Sequence, residues 1–395
     1  MRRAIALLGF AILLNAAPAT GRTVGGDLLW QDEFAIVEIA ANGAQIAAIG
    51  TIAIGRGAPQ PIVRVYDANT GKRLWQDQAS ADTIVVDDNR VVIAGGGVVR
   101  AYDAKKGGVV WKDKPPFAVT QLYTDGKTTV AVAPTSTTIR VRVYETGNGK
   151  IQIADRTVAV TGITLFDRGR AFTVKTVTPQ GLVRCQVQAA SVATGRLLWE
   201  TTLPSTCIAT NGVTDGKRVY MSGIGGAFPD QFMVRAFDAE SGGFLWEHRS
   251  GNSAFQDAAV AVDVEKRFVY AVGWNQRTGP GSSGREDFAL KALNAETGTI
   301  AWEDRYGDAA PFCLCHGSAV VVSAGTVYGV GVVTGGSPTP PPTAFLRAYD
   351  AKNGDLRWQQ NFDAVEAIAA TKGEIAVLTP GATEDDAILR VFDGK

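Results

Sequence analysis

Residues 99–111 read VRAYDAKKGGVVW, and the fold follows from this stretch. Val99, Ala101 and the residues after them alternate as in a strand with one buried face. Asp103 to Gly107 supplies turn chemistry: a carboxylate able to accept from nearby backbone N–H groups, and a glycine free to take positive φ. A second strand then runs to Trp111. The stretch reads as a β-hairpin that ends on an aromatic anchor.

Close variants recur without a gap between first strand and anchor: VRVYDANTGKRLW at 63–75, VQAASVATGRLLW at 187–199, VRAFDAESGGFLW at 234–246, LKALNAETGTIAW at 290–302 and LRAYDAKNGDLRW at 346–358. VRVYETGNGKIQI at 141–153 keeps the register but carries Ile153 in place of tryptophan. LRVFDGK at 389–395 stops at the turn, and GGDLLW at 25–30 begins just after it, so seven full copies and one split copy make eight. A spacing of about forty residues leaves room for two more strands per copy, which predicts an all-β, eight-bladed β-propeller of four-stranded antiparallel blades. An open array would need capping repeats rather than two complementary halves. Pairing of the N- and C-terminal strands is therefore expected to close the ring and remove an unpaired sheet edge.

The run Ala-x-Asp-x-x-x-Gly-x-x-x-Trp, at Ala101, Asp103, Gly107, Trp111 and again at Ala236, Asp238, Gly242, Trp246, resembles the tryptophan-docking repeat of pyrroloquinoline-quinone-type eight-bladed propellers. That superfamily holds both quinoprotein dehydrogenases and non-enzymatic scaffolds of the BamB type. The resemblance implies that Trp30, Trp75, Trp111, Trp199, Trp246, Trp302 and Trp358 wedge between blades against the glycine of a neighbouring copy. The glycines in question are Gly71, Gly107, Gly195, Gly242, Gly298 and Gly354. Ile153 departs from the pattern and points to one looser junction.

The first nineteen residues have the layout of a secretory signal: basic Arg2 and Arg3, an apolar core from Ala4 to Leu14, and Ala17-Pro18-Ala19 as a cleavage site. Residues 1–19 are thus expected to be a signal peptide and 20–395 the propeller, in a periplasmic or secreted protein. The apolar core is too short to span a bilayer stably, no long apolar segment follows it, and no cysteine near the cleavage site offers a lipid anchor. Lysine plus arginine balance aspartate plus glutamate at 39 each, so no overall field favours nucleic acid or an anionic membrane.

The turn inside each hairpin keeps its length, whereas the connection entering the hairpin varies, from Gly95-Gly96-Gly97 to WNQRTGPGSSGRED at 274–287 and VTGGSPTPPPT at 333–343. In a four-stranded blade that connection shares a face with the connection to the next blade, so variation gathers on one face of the disc. Loops on a rigid scaffold carry function. Trp274, Arg277 and Arg285 are the candidate anchors for a protein partner, with Trp274 expected in an exposed loop.

In an exported chain the four cysteines point to disulfides, and Cys185 with Cys207 and Cys313 with Cys315 are the favoured pairs among three possible connectivities. A metal site from Cys313, Cys315 and His316 is the sharper alternative, but on a strand the cysteines and the histidine point opposite ways. Glu384, Asp385 and Asp386 form an acidic run suited either to calcium or simply to solvent. His248 reads as a solvated edge residue. Gly329-Val330-Gly331 lacks the following helix that a phosphate-cradling turn needs. A quinoprotein dehydrogenase would need quinone with calcium, an adjacent cysteine pair and a catalytic aspartate, and none of these can be matched residue by residue. A non-catalytic protein-binding scaffold without a cofactor is the leading expectation, and a quinone- and calcium-dependent oxidoreductase the alternative.

Overall fold

The computed structural model describes residues 26–53, 58–158, 162–225, 231–250, 258–276, 286–307, 314–333, 344–383 and 386–394. Strands Val98–Asp103 and Val109–Asp113 pair antiparallel with Ala101 opposite Trp111. The Asp103 carboxylate accepts from the N–H groups of Lys105 and Lys106 at 3.0 and 2.8 Å, and Gly107 takes a φ of +73°. The register slips by one at Val110, the residue just before the anchor. Leu74, Leu198, Leu245, Ala301 and Arg357 occupy the same slip before their own tryptophans. A bulge of this kind increases twist and re-aims the next side chain. It leaves Val109 and Val110 exposed and turns Trp111 into the core.

The described strands form antiparallel sets of four, each named here by the anchor on its outer strand. The Trp111 set is Thr83–Val86, Arg90–Gly95, Val98–Asp103 and Val109–Asp113; the Ile153 set is Gln121–Thr124, Thr128–Pro134, Ile139–Glu145 and Ile151–Val158. The Trp302 set is Ala258–Glu265, Phe268–Gln276, Glu286–Asn294 and Ile300–Tyr306, and the Trp358 set is Cys315–Ser323, Thr326–Val333, Ala344–Asp350 and Leu356–Phe362. Two long strands each serve two sets. Leu197–Thr214 is the outer strand of the Trp199 set (Ile163–Asp167, Arg170–Val177, Arg184–Ser191) and the inner strand of the Trp246 set (Arg218–Gly225, Gln231–Asp238, Phe244–Ser250). Leu28–Asn42 likewise joins the Trp30 set (Ala367–Ala370, Glu374–Pro380, Ala387–Asp393) to the Trp75 set (Gln45–Ile52, Gln60–Asp67, Arg73–Asp77). This succession of twisted antiparallel sets is that of a β-propeller.

The apolar cores lie between sets. One cluster joins Trp75, Ile49 and Val63 to Ile84, Ile93 and Tyr102, and the next joins Trp111 and Val92 to Leu122 and Tyr144. The last in chain order joins Tyr328, Leu346 and Trp358 to Ile375, Val377 and Phe392. The anchors cross to the following set, where most of them donate the indole N–H to a backbone carbonyl: Trp30 to Ala68 at 2.7 Å, Trp75 to Ala104 at 2.9 Å, Trp246 to Ala295 at 3.0 Å and Trp302 to Ala351 at 3.1 Å, whereas the buried Trp358 N–H has no acceptor among the described residues. A Cβ on Gly71, Gly107, Gly242, Gly298 or Gly354 would lie 2.4–2.6 Å from the preceding tryptophan's ring, so only glycine admits it.

The Ile153 set differs from expectation. Gly195 receives no tryptophan; a Cβ there would meet the Thr157 carbonyl at 2.4 Å. Asp155 takes a φ of +49° and the outer strand bulges around it, so Arg156 and Thr157 fill the place of the ring. Trp111 docks on Gly149 instead, which the repeat had not singled out.

A second contact was not anticipated. Tyr66, Tyr102, Tyr144 and Tyr349 donate their hydroxyls to Asp32, Asp77, Asp113 and Asp304, each two residues past the anchor of the preceding set. Arg64 and Arg142 add ion pairs to Asp32 and Asp113 at 2.9 Å. The spacings Trp-x-Asp and Arg-x-Tyr are therefore a paired signal in the sequence.

The split copy is assembled from both ends of the chain. Leu28 to Phe34 pair with Phe392 to Ala387, and the Asp393 N–H donates to the Asp27 carbonyl at 3.0 Å, as Asp67 does to Lys72 at 2.9 Å within a continuous hairpin. Gly26 takes the turn-glycine place, and a Cβ on it would lie 2.8 Å from the Trp358 ring.

Candidate functional site

The ends of second strands, the starts of third strands and the starts of inner strands lie at one end of each set, and on that face the Trp302 and Trp358 sets bring together Trp274, Glu286 and His316. Trp274 stands near the end of Phe268–Gln276, Glu286 begins Glu286–Asn294, and His316 is the second residue of Cys315–Ser323. The approach depends on glycine. A Cβ on Gly273 would meet the Ala258 carbonyl at 1.8 Å, and one on Gly317 would meet the Gly273 nitrogen at 2.6 Å. With those Cβ atoms absent the inner strand closes in, and the His316 imidazole stacks on the Trp274 indole with centroids 4.5 Å apart and planes 27° apart. His316 Nε2 pairs with the Glu286 carboxylate, and both side chains keep partial access to solvent.

Trp274 is thus not the exposed loop aromatic of the sequence reading. It is half-buried at a strand end, braced by a histidine that is itself oriented by a carboxylate. Asn275, on the other side of the strand, is 2 % exposed, and neither of its carboxamide atoms has a hydrogen-bond partner among the described residues. Arg277, Arg285 and the stretch 334–343 lie outside the described residues.

Cys185 and Cys207 form a disulfide that ties the third strand of the Trp199 set to the inner strand of the Trp246 set. Arg235, 1 % exposed, donates to the Cys207 Sγ at 3.0 Å and to the Ser205 hydroxyl at 2.7 Å, and it pairs with Glu247. Burial pushes the Glu247 carboxyl up, but hydrogen bonds from Arg249 and Arg235 outweigh it and hold the group below the usual range. Cys315 is also disulfide-bonded, which removes it as a metal ligand beside His316; Cys313 lies outside the described residues. Of the acidic run, only Asp386 is described, and it accepts from the Thr383 hydroxyl. Gly329 and Gly331 sit mid-strand against Leu290 and Phe345 rather than in a phosphate turn.

His248 also departs from expectation. It is no solvated edge residue: burial and the Lys291 ammonium lower its pKa to about 4, with Glu303 opposing. The dehydrogenase alternative would need quinone with calcium among the described residues. No group of three or more histidine, cysteine, aspartate or glutamate side chains among them converges to hold a metal ion. The disulfide sulfurs of Cys185 and Cys207 come from different sets, unlike an adjacent pair.

Among solved structures, BamB from Moraxella catarrhalis is similar, with a TM-score of 0.51, 14% identity and coverage of 93% of this chain and 97% of that one. The quinohemoprotein alcohol dehydrogenase from Comamonas testosteroni is similar at a TM-score of 0.52 and 12% identity, covering 93% and 76%. A europium-containing methanol dehydrogenase gives 0.51 and 12%, covering 93% of each chain. These likenesses establish a shared fold. None of the curated proteins matches the chain. The family model described as outer membrane protein assembly factor BamB matches residues 60–212 and 183–378. Since these two segments together span most of the repeats, the chain belongs to the BamB family of β-propellers.

Proposed function

We propose that this protein is an exported, non-catalytic scaffold: an eight-bladed ring, closed by pairing of Ala387–Asp393 with the start of Leu28–Asn42, that binds a protein partner through the face carrying Trp274. Family membership supports a binding role, and the secretory layout of residues 1–19 supports export to the periplasm or beyond. The observation that carries the choice of face is the Trp274–His316–Glu286 group. A half-buried indole held flat by a stacked, carboxylate-oriented imidazole is a pre-organised anchor, and rigid aromatic anchors dominate interface energies. The strand ends Gln276, Glu286, Val333 and Ala344 lie on this same face.

The test places a photo-crosslinking amino acid at position 280 and, as a control, at Asn69 in a turn of the opposite face, within the exporting cell. A partner trapped from 280 and not from Asn69, and bound roughly thirtyfold more weakly by Trp274→Ala, is the expected result; that ratio corresponds to about 2 kcal/mol. Equal trapping from both faces would remove the assignment. Reconstitution with pyrroloquinoline quinone and calcium is the counter-test, and stoichiometric binding with dye-linked alcohol oxidation would overturn the scaffold reading. N-terminal sequencing of the exported protein is expected to begin at Thr20.

A further inference from the structure

Four contacts between sets carry an aspartate two residues past the anchor, with a tyrosine hydroxyl donating to it from the next set. In the Trp246 set that place belongs to His248, and on the facing strand the tyrosine place is Leu293 and the arginine place Lys291. The substitution leaves the imidazole without that counterpart, and its buried Nε2 has no hydrogen-bond partner among the described residues. The charged groups facing it come from the Trp302 set. The Lys291 ammonium is fully buried, 5.1 Å from the Phe232 ring centroid and 2.9 Å from the Glu303 carboxylate. Glu303 is shared with Arg305 at 3.5 Å, and Asp287 lies higher on the same side of the Lys291 strand. On its own strand Glu247 and Arg249 project to the opposite face, where they meet Arg235 and Ser205.

We propose that the contact between the Trp246 and Trp302 sets is an acid-sensitive seam, closed while His248 is neutral and opened when His248 takes up a proton. A neutral imidazole leaves one hydrogen bond unmade and adds no charge beside the Lys291–Glu303 pair. An imidazolium would place a second cation beside Lys291, whose Glu303 carboxylate is already shared with Arg305, a far costlier arrangement. Burial and Lys291 hold the closed-state pKa near 4 against the ordinary 6.5, so the sign is fixed: opening is favoured as pH falls below 6.5, with the full effect reached near 4. At pH 5 the opening constant is expected to be roughly twenty-five-fold that at pH 7.5. The aspartate–tyrosine contacts contain no imidazole and supply the internal control.

The experiment is hydrogen exchange on the full chain at pH 7.5 and 5.0, corrected for intrinsic rates. Residues 244–250 and 286–294 report the seam, and 109–113 and 139–145 report an aspartate–tyrosine contact. The expected result is a roughly twenty-five-fold loss of protection at pH 5 confined to the first pair. That loss is expected to vanish in His248→Leu and in the double variant His248→Asp with Leu293→Tyr, which rebuilds the aspartate–tyrosine pair and keeps the test open if the leucine variant misfolds. The chain has two histidines, so His248→Leu also assigns the His248 imidazole resonance by its disappearance. Unchanged protection at the seam, equal loss at both contacts, loss that persists in the variants, or a His248 resonance titrating near 6.5 in the folded protein would each overturn the proposal.

Discussion

Trp111 shows how one side chain can hold two sets together. Its ring stacks on Tyr144 at 5.0 Å, fills the space beside Gly149, and donates to the Thr146 carbonyl at 2.9 Å. Trp111→Ala is expected to cost roughly 3–5 kcal/mol in denaturant unfolding. Tyr144→Phe removes only a hydroxyl from the same contact and takes one hydrogen bond from the Asp113 carboxylate, for which about 1 kcal/mol is expected. Equal losses in the two variants would mean that the hydroxyl, not the ring, carries the contact. Glu38, on an inner strand, responds to pH in the opposite sense to His248. Burial pushes its carboxyl up to about 7, although the Ile84 N–H and the Thr83 hydroxyl draw it down. The unfolded group ionises near 4.5, so its contribution to stability is best below that pH, declines as pH rises to about 7 and stays level above. Glu38→Gln is expected to flatten this slope and to raise stability at pH 8 by about 2 kcal/mol. Thermal melts of both proteins from pH 4 to 8 check it, and parallel curves would show that the buried carboxylate carries no cost.

At the level of strands and hairpins, the sequence was legible wherever the signal is local. The Asp103 to Gly107 turn and the alternation before it depend on residues that touch each other along the chain, and the same logic held in every copy. The tyrosine–aspartate contacts were missed because each joins residues 25 to 45 positions apart on different sets, although Trp-x-Asp and Arg-x-Tyr stood in plain view. Where that contact is lacking, other chemistry takes its place. Between the Trp199 and Trp246 sets, Phe237 stands in the tyrosine place and Thr201 turns to the Gly242 carbonyl, and there the Cys185–Cys207 disulfide crosses from set to set. Trp199 is also less buried than Trp246 and bonds its carbonyl at 3.2 Å. The disulfide is therefore expected to matter more than an ordinary surface link. Replacing both cysteines with alanine should cost roughly 2–4 kcal/mol, and reductant should shift the parent's melting curve and not the variant's. A parent indifferent to reductant would place the strength of this junction elsewhere.

Across the whole molecule, the candidate site was harder to read than the fold. Trp274 drew notice as the tryptophan outside the repeat, but its partners His316 and Glu286 stand 42 and 12 residues away and meet it only because Gly273 and Gly317 let two sets close in. No pattern along the chain announces that approach. The split copy, by contrast, gave a global expectation from local halves, and its consequence is testable. Removing residues 387–395 takes away Leu389, Val391 and Phe392, all buried between the Trp30 set and its neighbours, and strips the partner from residues 28–34. The loss is apolar burial in two core clusters together with a newly exposed sheet edge, so lower stability and self-association are expected together. Thermal melting with light scattering reads both, and a peptide spanning 387–395 added in trans should restore the melt by filling the vacant strand place. A truncated protein that melts like the full chain and ignores the peptide would show that the ring is not closed by this pair of strands.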